Sequence, residues 1–259
     1  MSRVILFAFI ALLPQWLMAQ GIQALPDFSA HYSVTLNGLQ AGQLERSLLT
    51  QKDGSRHFSS STQAKGIFAF FKPDLVEEDS IFQLKDNKII PLSYLYQRTG
   101  GRKEKFLSLS FDWDKQHVHI DDKKHPWTLK NLETNTLDKL VYQLALMSDL
   151  ANGSTEFNYQ IADGGKIKTY KIDTLDTEVI TTPLGKIKAI KLIRLRNKDN
   201  ERQTILWCAP DLNYLPVKLE HTEKGGARFT AVLKRLTGID TESAFTPRSQ
   251  SKRSPLGIK

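Results

Sequence analysis

The sequence predicts a mainly β fold: a single antiparallel, strongly twisted sheet forming a half-open barrel around one central helix, at about residues 136–151. Three observations lead there. Apolar and polar residues alternate along several segments, turn clusters recur at short intervals, and one stretch alone switches to helical spacing. A length of 259 residues with 40% hydrophobic and 25% charged residues is ordinary for a globular protein.

The first element is a leader. Arg3 precedes ten uninterrupted apolar residues, Val4 to Leu13, and Pro14 ends the run. "QWLMAQG" then offers cleavage after Ala19 or Gly21. A charged start, a short apolar stretch and a small-residue exit describe a secretory signal peptide. The run is too short for a bilayer, which needs about 20 apolar residues. A lipoprotein would carry a cysteine at the cleavage point, and none stands there. The expected organisation is a signal peptide at 1–21, an exported β domain at 24–239 and a disordered basic tail at 240–259.

In the domain, Phe28, Ala30, Tyr32, Val34 and Leu36 alternate with Ser29, His31, Ser33 and Thr35, and "NG" at 37–38 marks a hairpin. Leu107, Leu109, Phe111 and Trp113 repeat that alternation. Turn clusters follow at "KDGS" (52–55), "KDNK" (85–88), "TGG" (99–101), "DWDK" (112–115), "ADGG" (162–165), "NKDN" (197–200) and "EKGG" (223–226). They divide the chain into about a dozen strands. The interruption is "TLDKLVYQLALMSDLANG", where Leu137, Leu140, Val141, Leu144, Ala145 and Leu150 fall near helical spacing. Thr136 is the expected N-cap and Asn152-Gly153 the stop. In "ILWCAPDLNYLPVKLE" (205–220), a strand apolar on both faces runs into Pro210-Asp211, and Pro216 opens the return strand.

Charge excludes one class of partner. Of the net +8, one unit leaves with Arg3 and a net three sit in the tail (Arg248, Lys252, Arg253 and Lys259 against Glu242), so the body carries only four. An exported chain with its basicity concentrated in a tail is not a nucleic-acid binder.

Candidate chemistry is sparse. Cys208, the lone cysteine, has Trp207 and Ala209 beside it and no histidine nearer in sequence than His221, so it reads as a buried, inert thiol. His117, His119 and Asp121 share one strand face, the spacing of an open metal site, although Lys123 and Lys124 flank it. "LVEEDS" supplies Glu77, Glu78 and Asp79, of which only Glu77 and Asp79 share a side. No nucleophile elbow, phosphate loop or H-E-x-x-H is present, and no cofactor is expected. "KGIFAFFK" sets Ile67, Phe68, Phe70 and Phe71 between lysines, either a turn capping the core or an apolar lip for a ligand or membrane. Lys186, Lys188, Lys191, Arg194 and Arg196 crowd one strand, after Lys166, Lys168 and Lys171 on the one before. They read first as a solvated edge guarded against aggregation, and second as a contact for an anionic headgroup or glycan.

"IADGGKIKTYKI" (161–172), "VITTPLGKIKAIKLIR" (179–194), "TILWCAPDLNYLPVKLEH" (204–221) and "LDKLVYQLAL" (137–146) resemble the bacterial family catalogued as domain of unknown function 3108. The resemblance marks Thr182, Pro183, Gly185, Trp207, Pro210, Asp211 and Pro216 as motif positions of structural role. It implies an exported protein of the periplasm and no activity. More remotely, strands around a helix are similar to the half-barrels that carry lipoproteins through the periplasm. The expected function is non-enzymatic binding of an apolar or amphiphilic envelope component, such as a lipid. The alternatives are a scaffold docking another envelope protein by a sheet edge, and a metal-dependent hydrolase using the His117 and His119 region.

Overall fold

The computed structural model describes residues 25–66, 68–69, 74–101, 104–196 and 202–246. They form one 15-stranded sheet with a single α-helix among the described residues. The first wing holds β1 (Phe28–Leu36), β2 (Leu39–Thr50), β3 (Arg56–Ala64), β4 (Leu75–Lys85), β5 (Lys88–Thr99), β6 (Lys105–Asp112), β7 (His117–Asp121) and β8 (Trp127–Leu129). The second holds β9 (Leu137–Asp138), β10 (Phe157–Asp163), β11 (Lys166–Thr182), β12 (Gly185–Leu195), β13 (Gln203–Ala209), β14 (Leu215–Thr222) and β15 (Arg228–Thr237). Helix α1 (Tyr142–Ala151) follows β9.

Each wing is a meander of sequential antiparallel neighbours, apart from the parallel pairing of β9 with β10. The wings join where β1 pairs with β15, Ser29 opposite Thr237 and Leu36 opposite Phe229. The first and last strands thus lie in the middle of the sheet, and β8 and β9 are its two ends. The sheet does not close by hydrogen bonds. Instead the end strand β8 packs against the other wing: the Trp127 ring lies against the backbone of Gly165 in the β10–β11 turn, where a Cβ would sit 2.2 Å from Cζ2. This is the half-open barrel the alternation predicts.

The alternation itself holds in detail. In β1, Phe28, Ala30, Tyr32 and Val34 are buried while the residues between them are partly exposed, and Asn37-Gly38 makes the tight turn into β2. The polar residue types on the outward positions keep one face wet, so the buried face must be covered. Helix α1 covers it. Tyr142, Gln143, Leu144, Leu146, Met147, Ser148 and Leu150 are all buried, because sheet surrounds the helix rather than flanking one side.

The start of this helix differs from the sequence reading. Leu137 and Asp138 pair with Ile161 and Ala162 as β9, so the helix begins at Tyr142 rather than near 136. Thr136 is not the cap; its buried Oγ1 has no partner among the described residues. The helix N-cap is Val141, with no side-chain cap bond, and Asp138 instead organises the turn that leads into the helix. Its Oδ1 accepts the backbone N–H groups of Leu140 (2.7 Å) and Val141 (2.9 Å), and Ser80 of β4 hydrogen bonds to Oδ2 at 2.5 Å. A carboxylate accepts several donors at once, so one side chain holds this turn and ties it to β4.

Several motif positions lie at turns and irregularities of the sheet. Thr182 Oγ1 donates to the Gly185 carbonyl and accepts from Leu184 N–H, pinning the turn at Pro183. Gly185, at φ 138, admits the chain end: a Cβ there would lie 2.7 Å from the Thr246 carbonyl. Lys186 and Thr246 exchange backbone hydrogen bonds, and Ala244 is buried. Residues 240–246, which composition assigns to the tail, are therefore packed onto the β11–β12 hairpin; 247–259 lie outside the described residues. Pro210 opens a single 3-10 turn, and Pro216 stands in β14 opposite Cys208 beside an irregularity in register. The Pro216 carbonyl accepts the buried Tyr32 hydroxyl at 2.9 Å. No helix among the described residues is long and apolar enough to cross a membrane.

Candidate functional site

Between α1 and the inner faces of both wings lies a cleft of two adjoining chambers. The smaller, about 470 Å³, has an apolar wall that includes Val34, Leu44, Leu206, Leu219, Phe229 and Ala231. The larger, about 750 Å³, is polar, lined by Asp163, Lys168, Thr169 and Arg202 among others. Lys139, Tyr170, Arg194 and Arg196 line both. Volumes of this size suit small ligands.

The cations reach the cleft through strand periodicity. Leu192 of β12 is fully buried, so Arg194 and Arg196, two and four residues on, point the same way. In β2, Arg46 stands between the buried Leu44 and Leu48. Arg46 donates from Nη1 to Gln143 Oε1 at 2.6 Å. The Arg194 guanidinium lies 3.2 Å from the Tyr170 ring centroid, a stacked cation–π contact. Burial, with Arg194 next to it, lowers the pKa of Arg196. Burial pushes Asp163 up, but hydrogen bonds from Lys168 and Tyr170, with Lys139 close by, outweigh it and hold the carboxyl below its usual value.

This corrects the edge-guard reading for Arg194 and Arg196, which line the cleft instead. Strands β11 and β12 are interior in the strand order, but β10 pairs only with residues 166–172 of β11 and β13 only with residues 190–194 of β12. The far half of this hairpin, with Lys186 and Lys188, therefore extends beyond the neighbouring strands. Lys186 and Lys188 are exposed, whereas Lys191 binds Glu178 at 2.7 Å and, with Lys218, covers the outer face of Trp207. Trp207 Nε1 donates to Glu178 Oε2 at 2.8 Å, which closes that apolar patch against water.

The other sequence candidates do not converge. His117 and His119 rings lie perpendicular with centroids 6.4 Å apart, His119 Nδ1 is 2.9 Å from Thr128 Oγ1, and Asp121 accepts the Lys123 N–H. No group of three potential ligands is placed to hold a metal ion among the described residues. Asp79 faces outward to His57 at 2.8 Å, while Glu78 turns into the cleft and accepts the Tyr94 hydroxyl at 2.6 Å. Of the aromatic lip, Phe68 is half-buried; Ile67, Phe70 and Phe71 lie outside the described residues.

Cys208 is fully buried, and burial pushes its thiol pKa up to about 12. His221 pairs with Thr204, well along the strand from Cys208, so no base meets the sulfur. Cys208→Ser is expected to lower stability by about 1–3 kcal/mol through an unpaired buried hydroxyl, read by urea melts. The native thiol is expected to resist a fast alkylating reagent; rapid labelling would contradict this burial.

Residues 31–234 match the family described as "Protein of unknown function (DUF3108)". The chain belongs to DUF3108. The crystal structure of a β-barrel-like protein of domain of unknown function DUF1849 from Brucella abortus shares the DUF3108 fold seen here at a TM-score of 0.52. The two are 9% identical, over 84% of this chain and 99% of that one. MucB is 12% identical over 89% of this chain and 58% of its own, at a TM-score of 0.35, too low to bear on function. No curated protein matches the sequence.

Proposed function

We propose that this DUF3108 protein is exported to the periplasm and binds an amphiphilic envelope component, without chemical turnover, in the cleft between α1 and the sheet. One observation carries the reading: an apolar wall faces guanidinium groups across a single solvent-reachable cavity. Export rests on the leader at residues 1–21, which precedes a domain at about 24–239 and a basic stretch behind it. A partner docking by a sheet edge would find little to pair with at the end strands, three and two residues long. The longer open stretch is residues 173–182 of β11, which β10 leaves unpaired, and it is the edge that this second reading would use.

N-phenyl-1-naphthylamine, a neutral apolar dye, tests this. The mature protein is expected to enhance its fluorescence, and a lipid extract of the envelope to displace it. Phe229 lines the cleft while 40% exposed, so Phe229→Ser is expected to weaken dye binding severalfold at a stability cost of about 1 kcal/mol or less. Absence of dye and lipid binding by the wild-type protein would end the proposal.

A further inference from the structure

Resting on the amphiphile reading above, we infer that the polar chamber receives a phosphate-bearing headgroup, held at the chamber junction by Arg46, Lys139, Arg194 and Arg196. Lys139, Arg194 and Arg196 line both chambers, and Arg46 lines the apolar one beside them. None of these four makes an ion pair with a carboxylate among the described residues. The Nε atoms of Arg46, Arg194 and Arg196 are buried with no hydrogen-bond acceptor among those residues. Buried donors without acceptors and like charges side by side are both unfavourable. An anion carrying several oxygens relieves both at once.

The acids in the cleft do not serve that role, since none among the described residues lies within ion-pair distance of these four and each has other partners. Glu78 accepts the Tyr94 hydroxyl, Asp163 accepts Lys168 and the Tyr170 hydroxyl, and Glu220 lies within 3.7 Å of both Lys218 and Arg228. Of the six cations lining the two chambers, Lys168 pairs with Asp163 and Arg202 with Glu223, so the excess is the four named above. A single carboxylate ligand would leave most of that excess standing. A phosphomonoester brings about −1.5 to −2 and three acceptor oxygens. The Tyr170 ring against the Arg194 guanidinium also holds that group at the junction, and guanidinium donors match the oxygens of phosphate and carboxylate groups. Charge matching then selects phosphate.

Four ligands of the mature protein test the headgroup by displacement of N-phenyl-1-naphthylamine and by calorimetry: dodecyl phosphate, dodecanoate, dodecyl maltoside and inorganic pyrophosphate. Dodecyl phosphate is expected to bind about tenfold or more tighter than dodecanoate or the maltoside, as charge-assisted hydrogen bonds allow. Arg194→Gln with Arg196→Gln is expected to abolish that preference while dye binding persists; Arg194→Lys with Arg196→Lys is expected to keep part of it. Equal affinity for the three dodecyl ligands overturns the phosphate inference and leaves amphiphile binding intact. Pyrophosphate binding as tightly as dodecyl phosphate supports the phosphate site and overturns the amphiphile reading, since the alkyl chain then contributes nothing. Should the glutamine pair fail to fold by circular dichroism, the ranking of the four ligands on the wild-type protein still separates phosphate from the other headgroups.

Discussion

Leu144→Ala is expected to lower the unfolding free energy by about 2–5 kcal/mol, measured by urea denaturation. Leu144 is 1% exposed on a helix that has sheet around it, so the missing methyl groups leave a cavity that neither wing can fill without moving its ladder. Val179→Ala, at a side chain 66% exposed, is the matched control and is expected to stay within about 0.5 kcal/mol. A loss below about 1 kcal/mol at Leu144 would mean the helix is not what fills the barrel.

Asp138 is expected to make stability fall as pH rises from 4 to 7. Burial pushes its carboxyl up to about 6; hydrogen bonds from Ser80 and the backbone of Val141 and Leu140 hold back part of that rise, and Glu78 adds to it. Below about pH 4 the group is protonated whether the chain is folded or not. Between pH 4 and 6 the unfolded chain ionises first, so the folded state loses ground, and above about pH 6 the penalty is complete. From a reference value of 3.8 the shift amounts to roughly 3 kcal/mol. Asp138→Asn removes the titration but keeps the acceptor for Leu140 and Val141 and supplies an N–H for Ser80. Its stability curve is expected to be flatter than wild type by that amount between pH 4 and 7. Superimposable curves would show that the carboxyl does not titrate in this range.

Much of the fold is legible in the sequence because it rests on local pattern. Phe28 to Leu36 alternates along the chain and does so in space; Pro210 and Pro216 punctuate the hairpin they suggest; Cys208, apolar on both flanks, is buried. The helix start is not legible, because Leu137 suits both an apolar helix face and a strand, and only the partner strand β10 decides between them. The cleft cations are hidden for a related reason. Composition groups Arg194 and Arg196 with neighbouring lysines, although their spacing from Leu192 already sets their direction. What the sequence does not carry is which half of the β11–β12 hairpin lies inside the sheet, a property of long-range order alone.

The central pairing of β1 with β15 also dictates an order of events during synthesis. A chain that emerges N-terminus first completes β1 to β8 by local hairpins, but β1 then waits as a bare edge until the final strand has been delivered. Closing so long a loop is the slow, entropically unfavourable step in assembling such a topology. Until then an edge with Phe28, Ala30, Tyr32 and Val34 on one face can pair with another chain. Shortening the protein by its last strand therefore splits the sheet at its middle rather than trimming its border, and leaves two halves each with an adhesive margin.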